Sequence, residues 1–331
     1  MLKYIIKRLL LAVLILLGVS LVIYVLVRMM PTDYISQKIA AVSTSGNQLG
    51  PEAIEAMKAQ YGLSDNSFVG ILKGYGNWLL DLVSFDFGNS FVYSLPVVTV
   101  IKDSMGVSFA VAFIATIFEF LIAIPLGITA ATHQYSITDY IVSIFVMIGI
   151  SLPSFFFARI LINILAMKLG WFPPEGLKDA TLTNLTFIEQ MLDYMHHLFI
   201  PILTIVILSI GGRMRMTRTN MLEVMNSDYI RTARAKGLKE KKVIYKHAFR
   251  NTLIPLVTGL AGLLPGLFSG AIITEQVFSL PGIGNKALQA MQSGDIPFIM
   301  GYNMFLALLS VIGVLLADLM YAVVDPRVKL A

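Results

Sequence analysis

Apolar runs long enough to enter a bilayer recur six times along the chain, separated by polar stretches of very unequal character. The runs are Leu9–Val27, Met105–Ala131, Ile141–Met167, Leu198–Gly212, Leu253–Thr274 and Phe298–Ala317, the last continuing past Asp318 to Val324. A spanning helix takes about 17–25 residues. Five runs meet that length alone; Leu198–Gly212 falls short and needs His196–His197 and Arg213–Thr217 beside it. The pattern predicts an all-α polytopic membrane protein of six transmembrane helices. Leu9–Val27 carries no charge and follows Lys3, Lys7 and Arg8. It exceeds the roughly 7–15 apolar residues of a signal peptide, and Val-Arg-Met-Met-Pro offers no small-residue cleavage site, so it reads as a retained anchor.

The polar stretches set the sidedness. Arg213–Arg250 holds 11 of the chain's 25 Lys and Arg against three acids, Glu223, Asp228 and Glu240. Positive charge collects on the cytoplasmic side, so this loop belongs inside. Loop 168–197 has two Lys against four acids, and Pro31–Asp103 has four Lys, no Arg and seven acids; both fall outside. An even number of spans then puts both termini in the cytoplasm. The organisation read from this is an anchor helix over 1–30, an extracytoplasmic subdomain over 31–103, and a five-helix core over 104–331 with a cytoplasmic loop at 213–250. Within 31–103, Pro51–Tyr61 predicts a short helix with Pro in its first turn. Trp78 and several Phe and Tyr favour a folded subdomain over a linker.

Composition narrows the function. Residues are 56% hydrophobic and 14% charged, with a mean hydropathy of +0.77, against about 25% charged in soluble domains. The isoelectric point near 9.2 does not imply nucleic acid, because the basic residues cluster beside the spans, where anionic lipid and sidedness account for them. Without cysteine, disulfides and thiolate metal sites are excluded. No phosphate-binding Gly-x-x-x-x-Gly-Lys-Ser/Thr, no His-Glu-x-x-His and no Gly-x-Ser-x-Gly occurs. His196 and His197 are adjacent and make a poor metal pair. The chain reads as non-catalytic, with no cofactor or metal of its own.

Ser227–Pro255 is the most informative stretch. Ser227 is placed to cap a helix whose first turn carries Asp228, Arg231, Arg234 and Lys236 gather toward its C-terminal end, and Gly237 stands where a left-handed residue would stop it. Ile230, Ala233 and Gly237 share one face of mostly small residues, suited to a groove on a partner. Asp228–Leu238, DYIRTARAKGL, with His247–Pro255, HAFRNTLIP, resembles the cytoplasmic coupling loop of ABC-importer permeases of the oligopeptide/dipeptide family. The general importer pattern is Glu-Ala-Ala, three residues, Gly, nine residues, Ile-x-Leu-Pro. Gly237 and Ala233 match it; Arg231 and Thr232 replace its Glu and first Ala, and His247, Phe249 and Arg250 its Ile, Leu and Pro. The peptide-importer variant fits the whole string.

This resemblance implies a pore-forming subunit that couples to ATPases through Asp228, Tyr229, Ile230, Thr232, Ala233, Ala235, Gly237 and Leu238. It further implies a second, homologous permease in a heterodimer, two cytoplasmic ABC ATPases that carry the ATP and Mg, and an extracytoplasmic solute-binding protein. FDFGNS at 85–90, AIPLGI around Pro125, SLPSFFF around Ser151 and Pro153, and VFSLPGIGNKALQAM from Val277 resemble the same family. Pro125 and Pro153 read as interruptions of spans, as at water-lined cavities. Together with Phe278, Pro281 and Gly282 of the loop before the last span, these residues are the implied lining of a pathway.

Glu119, Arg159 and Asp318 are the charges inside spans. Each costs on the order of 3 kcal/mol at the bilayer centre unless protein or water meets it. Interhelical pairing is the expectation; a proton-coupled secondary transporter using Glu119 and Asp318 is the rival. A permease for nickel or another small solute remains open, since such relatives share these loops.

Overall fold

The computed structural model describes residues 2–28, 67–182 and 184–324. Among these the regular elements are helices, with one isolated bridge between Asn89 and Pro96. The helix expected over Pro51–Tyr61 lies outside the described residues. In chain order the helices are α1 (Leu2–Arg28), α2 (Phe68–Val83), α3 (Val97–Thr132), α4 (Ile137–Ser151) and α5 (Ser154–Leu161), the last running into a π-helical turn at Ile162–Lys168. There follow α6 (Phe187–Met225), α7 (Asp228–Ala235) and a second π turn at Val243–Ala248. It leads into α8 (Phe249–Leu260), α9 (Leu263–Phe268), α10 (Ile272–Val277), α11 (Ile283–Ser293) and α12 (Ile296–Val324).

Four of these are long and apolar enough to cross a membrane: Ile6–Leu26, Val97–Thr132, Phe187–Met225 and Ile296–Met320. The other two predicted spans are broken. The third stops at Ser151, since the residue before a proline is pushed out of the helical region; Leu152 is extended and Pro153 opens α5. The fifth is divided into α8, α9 and α10, with Gly270 at φ +71° between the last two.

Two sequence expectations need correction here. Pro125 does not interrupt its span: α3 runs unbroken through it. The missing amide removes one backbone bond, and packing holds the helix, with Ala115, Ala123 and Ala130 of α3 buried against Val146 of α4 and Val206, Ile210 and Met214 of α6. Those alanines let the backbones come close, as small residues do between membrane helices. Gly127 goes further, for a Cβ there would sit 2.7 Å from Thr217 Cβ and 2.8 Å from the Met214 carbonyl oxygen.

The second correction concerns the run at Leu198–Gly212, which is the middle of the 39-residue α6. At 1.5 Å per residue that helix is about 58 Å long, nearly twice a bilayer core. Its start is fixed by a capping box: the Thr186 hydroxyl accepts the Glu189 N–H and the Glu189 carboxylate accepts the Thr186 N–H. Hydropathy locates only the part of a helix that meets lipid, so both polar ends were invisible to it.

The described residues form two compact units, one within 106–285 and 310–324, the other within 2–105 and 286–309. In the second unit α2 packs on α1. Ser20, wholly buried, shares a 2.8 Å hydrogen bond with the Tyr75 hydroxyl, and Tyr24, Tyr75 and Trp78 form an aromatic cluster with centroids 5.6–6.2 Å apart. Buried Asp295 then clasps residues 90–92: its carboxylate accepts the Ser90 hydroxyl at 2.5 Å and the Phe91 and Val92 amides at 3.1 and 3.0 Å. The Tyr93 ring lies under the Lys286 ammonium, 4.4 Å from its centre. Burial, with the Asp295 charge adding, pushes the Tyr93 phenol up to about 12.

Candidate functional site: a basic helix seated on membrane helices

The stretch Asp228–Leu238 folds as the one-face helix and glycine stop read from its sequence. Gly237 has φ +72°, its N–H bonds the Arg234 carbonyl at 2.9 Å, and the Leu238 N–H reaches the Ala233 carbonyl at 3.4 Å. This pair of bonds is the Schellman ending, and only glycine holds that backbone without strain. Ser227 has the extended conformation of a cap, but its hydroxyl donates to the Val224 carbonyl at 2.6 Å and gives no side-chain cap to α7. The capping expected of Ser227 is therefore corrected: the preceding turn takes its hydroxyl first.

The face of Ile230 and Ala233, read from sequence as suited to a partner's groove, is occupied by the chain itself. Ile230 is fully buried and Ala233 nearly so, packed with Ile128 and Ala131 of α3, Met221 of α6, and Val243 and Ala248 of the π turn; Leu238 closes the same cluster. Of the other residues that the resemblance assigned to coupling, Asp228, Tyr229, Thr232, Ala235 and Gly237 are exposed. Tyr229 is also tied down, its hydroxyl accepting the Asn251 side-chain amide at 3.0 Å. Arg234 grips Glu240 through a 2.7 Å bond and two of 3.2 Å, which holds the Glu240 carboxyl below its usual range. The loop after α7 is thus folded onto the helix by charge on the outside and by apolar contact underneath.

Two ion pairs brace the helices that carry this platform. Arg213 of α6 donates to Glu119 of α3 at 3.0 Å and lies 4.5 Å from the centre of the Phe120 ring. Arg218 of α6 meets Asp139 of α4 in a two-bond fork at 2.8 and 2.9 Å, the geometry that favours arginine. The pairing expected of Glu119 is therefore present, with a partner that the sequence did not single out. Arg159 is exposed on α5, and Asp318 is half-buried on α12.

The residues implied for a pathway differ in burial. Pro125, Ser151, Pro153 and Pro281 are exposed, Gly282 is buried, and Phe278 is buried in a core with Val111, Ala158, Ile162, Leu198 and Ile200. An apolar cavity of about 830 Å³ lies instead between α3 and α6, lined among others by Val107, Ala110, Phe118, Met195, Phe199 and Ile202. None of the six predicted residues lines it. Among the described residues no three His, Asp or Glu side chains gather as metal ligands. His196 donates to the Trp171 carbonyl at 2.7 Å, while His197 faces Asp193 at 3.1 Å.

Long apolar helices braced by ion pairs, with a basic helix seated on their ends, are the build of an integral membrane protein. Residues 123–330 match the family described as "Binding-protein-dependent transport system inner membrane component", and residues 1–112 match its N-terminal counterpart. The chain belongs to this family. It is 37% identical over 330 residues to the oligopeptide transport system permease protein AppB of Bacillus subtilis, covering 99% of this chain and all of that one. The dipeptide transport system permease protein DppB of Alkalihalophilus pseudofirmus is 33% identical, again over 99% of this chain and all of the relative. The inner membrane ABC transporter permease protein YejB of Escherichia coli O157:H7 is 32% identical, with 98% of each covered. Among solved structures, an inward-facing MetNI methionine ABC transporter superposes with a TM-score of 0.51 at 17% identity, over 69% of this chain and 97% of that one. This last likeness is one of fold.

Proposed function

We propose that the chain is the pore-forming permease subunit of an ATP-driven ABC importer that carries peptides into the cell. Coverage of whole relatives named as oligopeptide and dipeptide permeases carries the substrate class. The seated, glycine-stopped helix α7 supports the mode of coupling. In this reading the chain crosses the inner membrane six times, with α4–α5 and α8–α10 as broken spans, both termini in the cytoplasm and residues 31–103 outside. Separate ATPases, holding ATP and Mg, press on the exposed face of α7. A homologous permease completes the pore as a heterodimer, and an extracytoplasmic binding protein delivers the peptide.

The mechanism follows from how α7 is held. Ile230, Ala233 and Leu238 are packed with the ends of α3 and α6. A push on Tyr229, Thr232 or Ala235 therefore reaches those membrane helices directly, because a packed core transmits displacement instead of absorbing it. Glu119, one of the two acids of the proton-driven alternative, is paired with Arg213.

The test is uptake of a labelled oligopeptide by the assembled complex in vesicles. Uptake is expected to need ATP on the α7 side and to survive collapse of the proton gradient. In a Glu119→Gln variant it should still follow ATP. Uptake by this chain alone, driven by a proton gradient, would overturn the reading.

A further inference from the structure

Nothing in that mechanism uses Glu275, a carboxylate with 1% of its surface exposed. It stands on α10, and both its oxygens are met by donors. Oε1 accepts the Ser108 hydroxyl of α3 at 2.6 Å and the Ala271 N–H at 3.2 Å; Oε2 accepts the Asn285 N–H, in the first turn of α11, at 2.9 Å. Ser108 Oγ in turn accepts the Ile283 N–H at 2.8 Å, so its single hydrogen is committed to Glu275. One side chain thereby joins α3, α10 and the start of α11.

Three glycines make room for it. A Cβ at Gly270 would lie 2.6 Å from Oε1, one at Gly284 would lie 3.0 Å from Oε2, and one at Gly282 would overlap the carboxyl group. The surrounding chain is thus shaped to a carboxylate in this position. The turn between α10 and α11 has an apolar anchor as well, in buried Phe278 and Leu280. Apolar contacts tolerate small slides, whereas three directed bonds to one carboxylate are either made or lost.

We propose that Glu275 is a positioning residue, the latch that fixes segment 270–285 on α3 and thereby keeps the resting pathway closed at that segment. The latch is a property of this chain; the closure rests on the importer reading. Glu275→Gln keeps size but turns an amide N–H₂ toward groups that are themselves donors. Ser108→Ala removes the α3 end of the latch, and Ser108→Thr keeps its hydroxyl.

The assembled complex, in bilayer discs, decides the matter. The chain has no native cysteine, so a nitroxide at Gln276→Cys, an exposed position on α10, reports on the segment alone. The label is expected to be immobile in the parent and mobile in Glu275→Gln and in Ser108→Ala. The double variant should be no more mobile than either single one, and Ser108→Thr should restore the parent spectrum. ATP hydrolysis without binding protein should rise about tenfold in Glu275→Gln, within the range of ordinary coupling between sites. Unchanged mobility in both single variants, or additive effects in the double one, overturns the latch. Increased mobility with unchanged basal hydrolysis overturns its role in closure. A parent complex whose hydrolysis ignores its binding protein would sink the importer reading instead, and the mobility comparison would still decide the latch.

Discussion

Truncating Ile230 to alanine isolates the seating of α7 from its outward contacts. Ile230 has no exposed surface and sits in a cluster facing the polar loop end of α3 and α6, where the alternative to burial is water. Three carbons are lost, and at about 0.8 kcal/mol each they account for about 2.4 kcal/mol of transfer free energy. A residual void of about 50 Å³, at about 24 cal/mol per Å³, adds about 1.2 kcal/mol. The sum, about 3.6 kcal/mol, corresponds to a shift of about 400-fold between seated and unseated α7. Hydrogen exchange reads this directly: the Leu238 amide, bonded to the Ala233 carbonyl, should lose protection by about that factor, while amides of α3 around Ala115 stay unchanged. Ala235→Gln, on the exposed face, should leave exchange within about 0.5 kcal/mol of the parent and reduce ATPase stimulation in the complex. Unaltered exchange at Leu238 in Ile230→Ala would refute the claim that this side chain holds the helix.

Gly127→Ala should destabilise the chain by about 1–3 kcal/mol, as over-packing does, seen as a lower melting temperature in detergent. Thr217→Ala should not rescue it, because the Met214 carbonyl oxygen still lies 2.8 Å from the added Cβ; full rescue would show that the backbone contact yields. Tyr93 should stay protonated well past the ordinary phenol value of 10.0, titrating near 12. A folded value raised above the unfolded one gives a contribution complete below pH 10 and lost between pH 10 and about 12. Ultraviolet titration of the parent against Tyr93→Phe checks this, and a difference step centred on pH 10 would contradict the burial described for the ring.

How much was legible beforehand depended on what each feature needs. Apolar runs marked every long helix, because lipid demands about 20 apolar residues in a row. Gly237 was legible because a left-handed stop is a local requirement that sequence displays. The inward turn of Ile230 was not, since a small apolar face fits a partner's groove and the chain's own helices equally well. Pro125 misled because a proline's missing bond says nothing of the packing that keeps the helix whole. Glu275, Asp139 and Asp295 escaped notice because they stand at or beyond the ends of apolar runs, where a charge looks like part of a loop. Gly270, Gly282 and Gly284 around Glu275 were the one available sign, readable only once a fold brings them together.

The length of α6 has a mechanical consequence. Pro201 is buried within it, and its burial marks a point at which the helix is held by its neighbours. The 25 residues from Pro201 to Met225 make one arm of about 38 Å, and the 14 from Phe187 to Ile200 make another of about 21 Å. A rod pivoting at that point is a lever of unequal arms. A thrust of about 4 Å delivered where Met221 meets α7, about 30 Å from Pro201, would swing the opposite tip by about 3 Å, in the reverse direction and with force raised about 1.4-fold. α6 therefore trades travel for force, a ratio suited to prying apart packed side chains more than to sweeping a wide opening.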